Sequence, residues 1–230
     1  MKKEYILIGS LVCVLLAAGI WIYCIVREYQ KAGNEYESLK EYITEETKKP
    51  EEIPAGDQEK DKTEQVPEET EIKVDFQALQ KINSDIVAWL RIPGVMDYPV
   101  VQGEDNAYYL KHTFKKEYNI AGSIFLDYRN KDDFSDNKSI IYGHNMKDGS
   151  MFHVLKKFQN LDFFRAHSKI FLFLPDNKVL KFDIIACEEV PSDSEVYQLV
   201  TENAKMKEII LSTCSSRRDQ RIIIRGTEIP

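Results

Sequence analysis

The stretch KEIILSTCSSRRDQRIIIRGTEI, residues 207–229, carries the pattern from which the rest of the chain is interpreted. Two runs rich in β-branched residues, 208–213 and 221–225, flank a polar loop, which is typical of a β-hairpin. If the loop closes symmetrically, Cys214 lies opposite Arg221, and cross-strand partners have Cβ atoms roughly 5 Å apart. A guanidinium beside a thiol lowers the pKa of the thiol and makes it a nucleophile. The same residues also fit a buried core cysteine beside solvated arginines, so a catalytic interpretation needs a base elsewhere.

Of the four histidines, His144 is the strongest candidate for that base. It follows a predicted strand, and Gly143 before it permits an unusual backbone angle or a close approach. Loops at strand ends are where side chains from separate segments converge on one site. His112, His153 and His167 fit surface, structural or loop positions better. A lone histidine is more often structural, but the thiol and arginine downstream favour a catalytic role for His144.

These three side chains together suggest nucleophilic catalysis. His144 would exchange a proton with Cys214, and the thiolate would attack a carbonyl carbon. Arg221 would hydrogen-bond the developing oxyanion, and His144 would then protonate the leaving amine. Arg225 shares a strand face with Arg221 but lies roughly 13 Å further along, at about 3.3 Å per residue. We therefore expect Arg221 to act.

The N-terminal residues 1–27 are predicted to anchor the chain in a membrane. Tyr5 to Val26 contain no charged side chain, and a helix of this length crosses a hydrocarbon core of about 30 Å. The apolar run continues past the small residues at 17–19, so we favour an uncleaved anchor over a cleaved signal peptide. We expect the N-terminus inside the cell and the rest of the chain outside.

Residues 28–71 are predicted to be a charged linker, and residues 72–230 the folded body. The linker is expected to continue the helix to about Lys49 and then to form a disordered spacer. The net charge of −7 comes from 31 basic and 38 acidic side chains, with much of the acidity in this linker. No basic stripe interleaved with aromatic residues is present, so nucleic-acid binding is not indicated.

Two of the four cysteines lie in the body, where a disulfide between Cys187 and Cys214 is arithmetically possible.

The body is predicted to be a mostly β barrel with short N-terminal and peripheral helices. Short helices are expected at 76–82, 86–90 and within 106–112, and an amphipathic core helix is expected from Met151. Strands are expected at 97–101, 121–127, 139–142, 169–174, 178–187, 208–213 and 221–225. Pro99 cannot donate to a ladder, so the first of these strands is expected at a sheet edge. Neither a phosphate-binding glycine loop nor a metal-ligand spacing is found.

The motifs YGHNM at 142–146 and LSTC at 211–214, followed by Arg221, resemble the signature of class B sortases, the membrane-anchored cysteine transpeptidases of Gram-positive bacteria. The resemblance covers essentially the whole body. It includes, in this order, NSDIVAWL at 83–90, IPGVMDYPVVQ at 92–102, DNAYYL at 105–110 and GSIFLD at 122–127.

The resemblance implies a sortase β-barrel with N-terminal helices, anchored with its N-terminus inside and facing the cell wall. It implies an enzyme that cleaves a sorting signal of a secreted protein after threonine, holds the product as a thioester on Cys214, and passes it to an amine of a peptidoglycan precursor. By the same resemblance His144, Cys214 and Arg221 are catalytic, and no cofactor or metal is implied. The positions that match the family's substrate groove are Asn106, Leu110, Tyr142, Ser212 and Thr213.

The chain departs from the family pattern in the segment before the cysteine strand. Class B sortases carry a long helical insertion there, and here only residues 191–206 occupy that place; the loop from the cysteine to the arginine is also somewhat short.

Two other functions stay open on the residues alone. A thiol peptidase would release its product to water, so that an amine acceptor would leave the product unchanged. A membrane-tethered binding module with a degenerate site would lose nothing on removal of Cys214.

Overall fold

The computed structural model describes residues 2–47, 70–199, 206–214 and 219–229. The strands within these ranges are β1 (Ile43–Thr47), β2 (Thr70–Val74), β3 (Ile86–Ile92), β4 (Met96–Val101), β5 (Ile124–Leu126), β6 (Lys138–Tyr142), β7 (Lys169–Phe173), β8 (Val179–Pro191), β9 (Glu208–Cys214) and β10 (Gln220–Glu228). The α-helices are α1 (Lys2–Glu37), α2 (Phe76–Ile82) and α3 (Leu161–Ala166). Short 3-10 helices lie at Ser38–Tyr42, Tyr108–Leu110, Phe152–Gln159 and Glu195–Tyr197.

Among the described residues, eight strands close a barrel in the order β10-β8-β7-β3-β4-β5-β6-β9, which confirms the predicted mostly β barrel. Most neighbours are antiparallel, as expected for strands joined by short connections. The exceptions that position the site are β4 beside β5 and β6 beside β9, which are parallel pairs. The β6–β9 pair joins segments about 70 residues apart in the chain, with Tyr142 opposite Ser212.

The barrel interior is filled by side chains that alternate along the strands. Leu90, Ile124, Ile141 and Leu211 are fully buried in one cluster, and burial of a side chain of this size stabilises by about 1.5–3 kcal/mol. The predicted apolar stripe is confirmed as core, although its helix is of the 3-10 type. Its buried members are Met151, Phe152, Leu155 and Phe158.

Two predictions about local structure are wrong. The segment 86–90 is not a helix but forms most of β3, which pairs with β4 on one side and β7 on the other. Its β-branched and aromatic side chains favour a strand, and most of them are buried. β4 is not an edge strand, since it pairs with β3 on one side and β5 on the other. Pro99 is tolerated because β5 pairs with Val100 and Val101 and not with Pro99 itself.

The N-terminal helix α1 contains a stretch, Cys13–Glu37, that is long and apolar enough to cross a membrane. The helix ends at Glu37, earlier than the predicted limit near Lys49, and a 3-10 turn then leads into β1, which pairs with β2. Its last turns contact the body: the Glu35 carboxylate accepts a hydrogen bond from Thr113 at 2.7 Å, and Leu39 just beyond is buried. Most of the predicted disordered spacer, from about Lys49 to Glu71, lies outside the described residues, but the prediction is wrong for Thr70 and Glu71, which begin β2 and pair with β1.

Candidate active site

The parallel pairing of β6 and β9 brings two chain segments of the predicted site to one edge of the barrel. Tyr142 and Ser212 are register partners, and the backbone N–H of Gly143 donates to the Ser212 carbonyl at 3.1 Å, which continues the contact beyond β6. His144 and Cys214 each lie two residues past this pair. Because parallel strands run in the same direction, both residues emerge at the same end of the sheet.

The predicted hairpin register is confirmed, because Cys214 and Arg221 are Cα partners across β9 and β10. Arg221 is half-buried, and its Nη1 donates to the Gln220 carbonyl at 3.1 Å. Within the described part of the chain, no carboxylate pairs with this guanidinium. Arg225, in contrast, is held by Glu208 at 2.7 Å, so its charge is already neutralised. The register and the charge pairing both favour Arg221 as the residue that faces a reacting group.

His144 is half-buried, and its Nε2 lies 2.7 Å from the carbonyl oxygen of Leu110. A carbonyl oxygen can only accept, so Nε2 carries a proton, and in the neutral ring Nδ1 is then the basic nitrogen. The backbone is fixed on both sides: the N–H of Phe152 donates to the His144 carbonyl at 2.9 Å. A Cβ on Gly143 would lie 2.5 Å from Cδ1 of Ile124, so the close approach predicted for this glycine is present.

Of the other histidines, His112 and His167 have hydrogen-bond partners close by, whereas the buried Nδ1 of His153 has none among the described residues. His112 stacks on Tyr108 with ring centroids 4.0 Å apart, and its Nδ1 binds the carbonyl of the same residue. His167 binds the carbonyl of Pro93. His153 lies on the 3-10 helix that packs on the barrel. These contacts fit the surface, loop and structural positions predicted for them.

The structure brings most of the predicted groove residues together. Asn106 and Tyr142 both donate to the Asp127 carboxylate, at 3.1 and 3.0 Å. Ser212 shares a hydrogen bond of 2.9 Å with the hydroxyl of Tyr197. Leu110 is partly exposed and supplies the acceptor for His144, whereas Thr213 is buried with only 2% of its surface exposed.

Sequence reasoning missed Asp127, Arg129 and Tyr197, which hold these groove residues in place. Burial of Asp127 would raise its pKa, but the hydrogen bonds from Arg129 and Tyr142 outweigh that effect and hold the pKa below its usual range. Burial and the nearby Asp127 charge raise the pKa of Tyr142, so its hydroxyl stays protonated and donates. The sequence feature that could have pointed to Asp127 is its position directly after the short buried strand β5.

Cys187 is the other cysteine of the body. It is a free thiol in β8, so the disulfide with Cys214 that arithmetic allowed is not formed. Burial raises the pKa of Cys187 to about 11, with a smaller contribution from the charge of Glu188. A thiol with that pKa is a poor nucleophile near neutral pH.

Among the described residues, no group of three or more His, Cys, Asp and Glu side chains is arranged to hold a metal ion.

Known proteins are similar to this chain in sequence and in fold. The Sortase domain family matches residues 90–229. The chain is 39% identical over 183 residues to Sortase B of Listeria monocytogenes serovar 1/2a, a match that covers 68% of this chain and 74% of that protein. A Streptococcus pyogenes class B sortase involved in pilus biogenesis superimposes with a TM-score of 0.61 at 34% identity, over 68% of this chain and 98% of that one. A Staphylococcus aureus sortase B–substrate complex gives a TM-score of 0.61 at 26% identity, over 67% of this chain and 84% of that one.

The family match spans more than half of the chain, and it includes both parallel-paired segments that carry His144 and Cys214. The similarity in sequence and the similarity in fold point to the same class. This protein is therefore a member of the sortase family, and within it a class B cysteine transpeptidase.

Proposed function

We propose that this protein cleaves a C-terminal sorting signal of secreted proteins through a thioester on Cys214 and transfers them to an amine of the cell wall. The observation that carries the proposal is the parallel β6–β9 pairing, because it brings the segments of His144 and Cys214 to one barrel edge, with Arg221 in register beside the cysteine. A Staphylococcus aureus sortase B of the same fold has been solved in complex with a substrate, which supports a substrate-binding role for this chain as well.

In the acylation half, the Cys214 thiol passes its proton to His144, and the thiolate attacks the carbonyl carbon of the scissile peptide bond. Nδ1 is the nitrogen available for this exchange, because Nε2 is engaged by the Leu110 carbonyl. Arg221 hydrogen-bonds the oxyanion of the tetrahedral intermediate. The carbon–nitrogen bond then breaks, His144 returns the proton to the leaving amine, and an acyl thioester remains on Cys214.

In the transfer half, the acceptor amine attacks the thioester carbonyl and gives its proton to His144. The carbon–sulfur bond breaks, the new amide leaves, and His144 returns its proton to the Cys214 thiolate, so that both side chains recover their starting states. The acceptor that fits this chemistry is an amine of a peptidoglycan precursor. The same proposal places α1 across the cell membrane, with the N-terminus inside and the barrel outside, where secreted proteins and cell-wall precursors meet.

The test uses the full-length protein in detergent or lipid nanodiscs with a panel of quenched sorting-signal peptides, with and without an amine acceptor. Intact mass spectrometry follows the covalent adduct, and Cys214→Ala is the matched control. We expect a Cys214-dependent acyl adduct that resolves onto the amine.

The alternative functions give different results in the same assay. An adduct that always resolves to water, whatever amine is present, would instead establish a thiol peptidase. Peptide binding that is equal in wild type and Cys214→Ala, with no adduct in either, would indicate a binding module and contradict the proposal.

A further inference from the structure

Asp127 is a buried carboxylate that the catalytic scheme does not use. It follows β5, and none of its side-chain surface is exposed. Nε and Nη2 of Arg129 donate to its two oxygens at 2.8 and 2.7 Å. The Tyr142 hydroxyl and the Asn106 amide also donate to it. Two of the predicted groove residues are therefore oriented by one buried anion.

Arg129 has a second partner, Tyr197, which lies in the segment after β8. Its Nη2 also donates to the backbone carbonyl of Tyr197 at 3.2 Å. The Tyr197 hydroxyl meets Oγ of Ser212 at 2.9 Å, and its ring stacks on that of Tyr142 with centroids 6.3 Å apart and planes 24° apart. Tyr197 thus contacts two predicted groove residues directly and is connected to the Asp127 carboxylate through one guanidinium.

Tyr197 belongs to the short segment 194–199, which we call the strap. Its apolar side chains Val196 and Leu199 pack against a small buried cluster formed by β6, β9 and β10. The Lys138 ammonium donates to the Val196 carbonyl at 3.3 Å. The strap is therefore held by apolar packing and by hydrogen bonds to its backbone carbonyls, and the bond from Arg129 is the one that fixes the carbonyl of Tyr197 itself. A guanidinium fork locked on a carboxylate has a fixed direction, which a lysine cannot reproduce.

We propose that Asp127 and Arg129 are positioning residues that hold the strap against Tyr142 and Ser212, so that Tyr197 forms one wall of the groove for the extended peptide substrate. This inference rests on the proposed function for the identity of the groove. It adds that the strap completes the groove by docking on an ion pair whose carboxylate is buried. The lowered pKa of Asp127 keeps that pair charged across the neutral range.

The test compares Arg129→Lys with Arg225→Lys in the full-length protein. Both arginines are paired with carboxylates and similarly exposed, at 42% and 36%, but Arg225 bonds to Glu208 on β9 and, among the described residues, makes no hydrogen bond to the strap. We expect Arg129→Lys to raise KM for the sorting-signal peptide by about tenfold, the equivalent of one lost charged hydrogen bond, with kcat within about twofold. Tyr197→Phe, which keeps the ring and removes the hydroxyl, should raise KM less. Arg225→Lys should leave both constants unchanged.

Two further measurements separate a groove effect from a general one. The rate of Cys214 alkylation by iodoacetamide and its pH profile should be the same in wild type and Arg129→Lys, because the small reagent does not need the groove. Hydrogen exchange of a peptide covering the strap should be faster in Arg129→Lys and unchanged in Arg225→Lys.

An unchanged KM, or an alkylation rate that falls as much as peptide turnover, would overturn the positioning role. If the wild type turns over no peptide, the proposed function fails by itself, and the exchange measurement still decides whether Arg129 holds the strap. Exchange that is equal in wild type and Arg129→Lys would then overturn the inference.

Discussion

At the scale of single residues, the two arginines of β10 show how neighbouring charges assign different roles to the same side chain. Arg225 is bound by Glu208 and approached by Glu188, so its guanidinium is occupied. Arg221 has a backbone carbonyl as its side-chain partner and lies in register with Cys214. A guanidinium without a carboxylate partner can bind a developing oxyanion without first breaking an ion pair.

We expect Arg221→Lys to lower kcat by about 10²-fold or more with a smaller change in KM, because lysine keeps the charge but loses the planar fork that meets the oxyanion. Steady-state kinetics with a cleaved peptide measure both constants. Arg225→Lys is the matched control and should stay near wild-type activity. Equal losses in the two variants would show that the effect comes from the strand and not from the site.

The Asp127 carboxyl should make the free energy of unfolding decrease as the pH falls into the acidic range. Its pKa is lowered in the folded protein, so it stabilises the fold above the unfolded pKa of about 3.9, and this stabilisation disappears as the pH falls through the lower folded value. We expect Asp127→Asn to be less stable at pH 7 and to lose less further stability on acidification than wild type. Urea midpoints between about pH 7 and pH 3 measure this difference. Parallel curves for the two proteins would contradict it.

At the scale of elements, the parallel β6–β9 pair decides where the chemistry can occur. The local hairpin could be predicted from the sequence, because β9 and β10 are adjacent in the chain and their β-branched runs define the register of Cys214 and Arg221. The pairing of β6 with β9 could not, since nothing in either strand's own pattern specifies a partner about 70 residues away. The proximity of His144 to the cysteine can therefore be inferred from the chemistry and the family resemblance, but not from the strand pattern.

Tertiary contacts that a local sequence pattern does not specify also explain the other differences between prediction and structure. Segment 86–90 is short and apolar, and periodicity alone does not distinguish a buried strand from a helix of that length. Its neighbours β4 and β7 decide the outcome. The role of Asp127 is equally invisible in the sequence, because its partners Asn106, Tyr142 and Arg129 come together only when the barrel closes.

Gly143 links β6 to the loop that carries His144, and the space around it is filled by neighbouring side chains. A Cβ there would lie 2.5 Å from Ile124 and 2.8 Å from the ring of Phe152, both of which are fully buried. We expect Gly143→Ala to destabilise the fold by about 1–3 kcal/mol, as overpacking does, and to lower activity more than stability alone explains because His144 is the next residue. Gly33→Ala is a control with no atom within 4 Å of the new Cβ. Denaturant unfolding and peptide turnover measure the two effects, and wild-type activity in a destabilised Gly143→Ala would contradict the link to His144.

At the scale of the whole molecule, the end of helix α1 is connected to the proposed active site through one loop. The Tyr36 hydroxyl donates to the Gly122 carbonyl at 2.8 Å and approaches Oγ of Ser123 at 3.3 Å. Ser123 Oγ donates to the His112 carbonyl, and its N–H donates to the carbonyl of Tyr109. These bonds hold the loop in which the next residue, Leu110, supplies the carbonyl that binds His144, the proposed catalytic base.

This arrangement predicts that residues 28–47 are needed for full activity even without a membrane. A soluble protein that begins at Glu28 should be as active on peptides as the full chain, whereas one that begins at Ile72 should have a lower Tm and a reduced kcat. Tyr36→Phe in the longer protein should reproduce part of the loss, with a Tm about 2–4 °C lower for a lost hydrogen bond of about 1 kcal/mol. Thermal unfolding and peptide turnover of the three proteins provide the measurement. If the protein that begins at Ile72 matches the longer one in both, the helix end serves only as a tether, and the loop that binds His144 keeps its position without it.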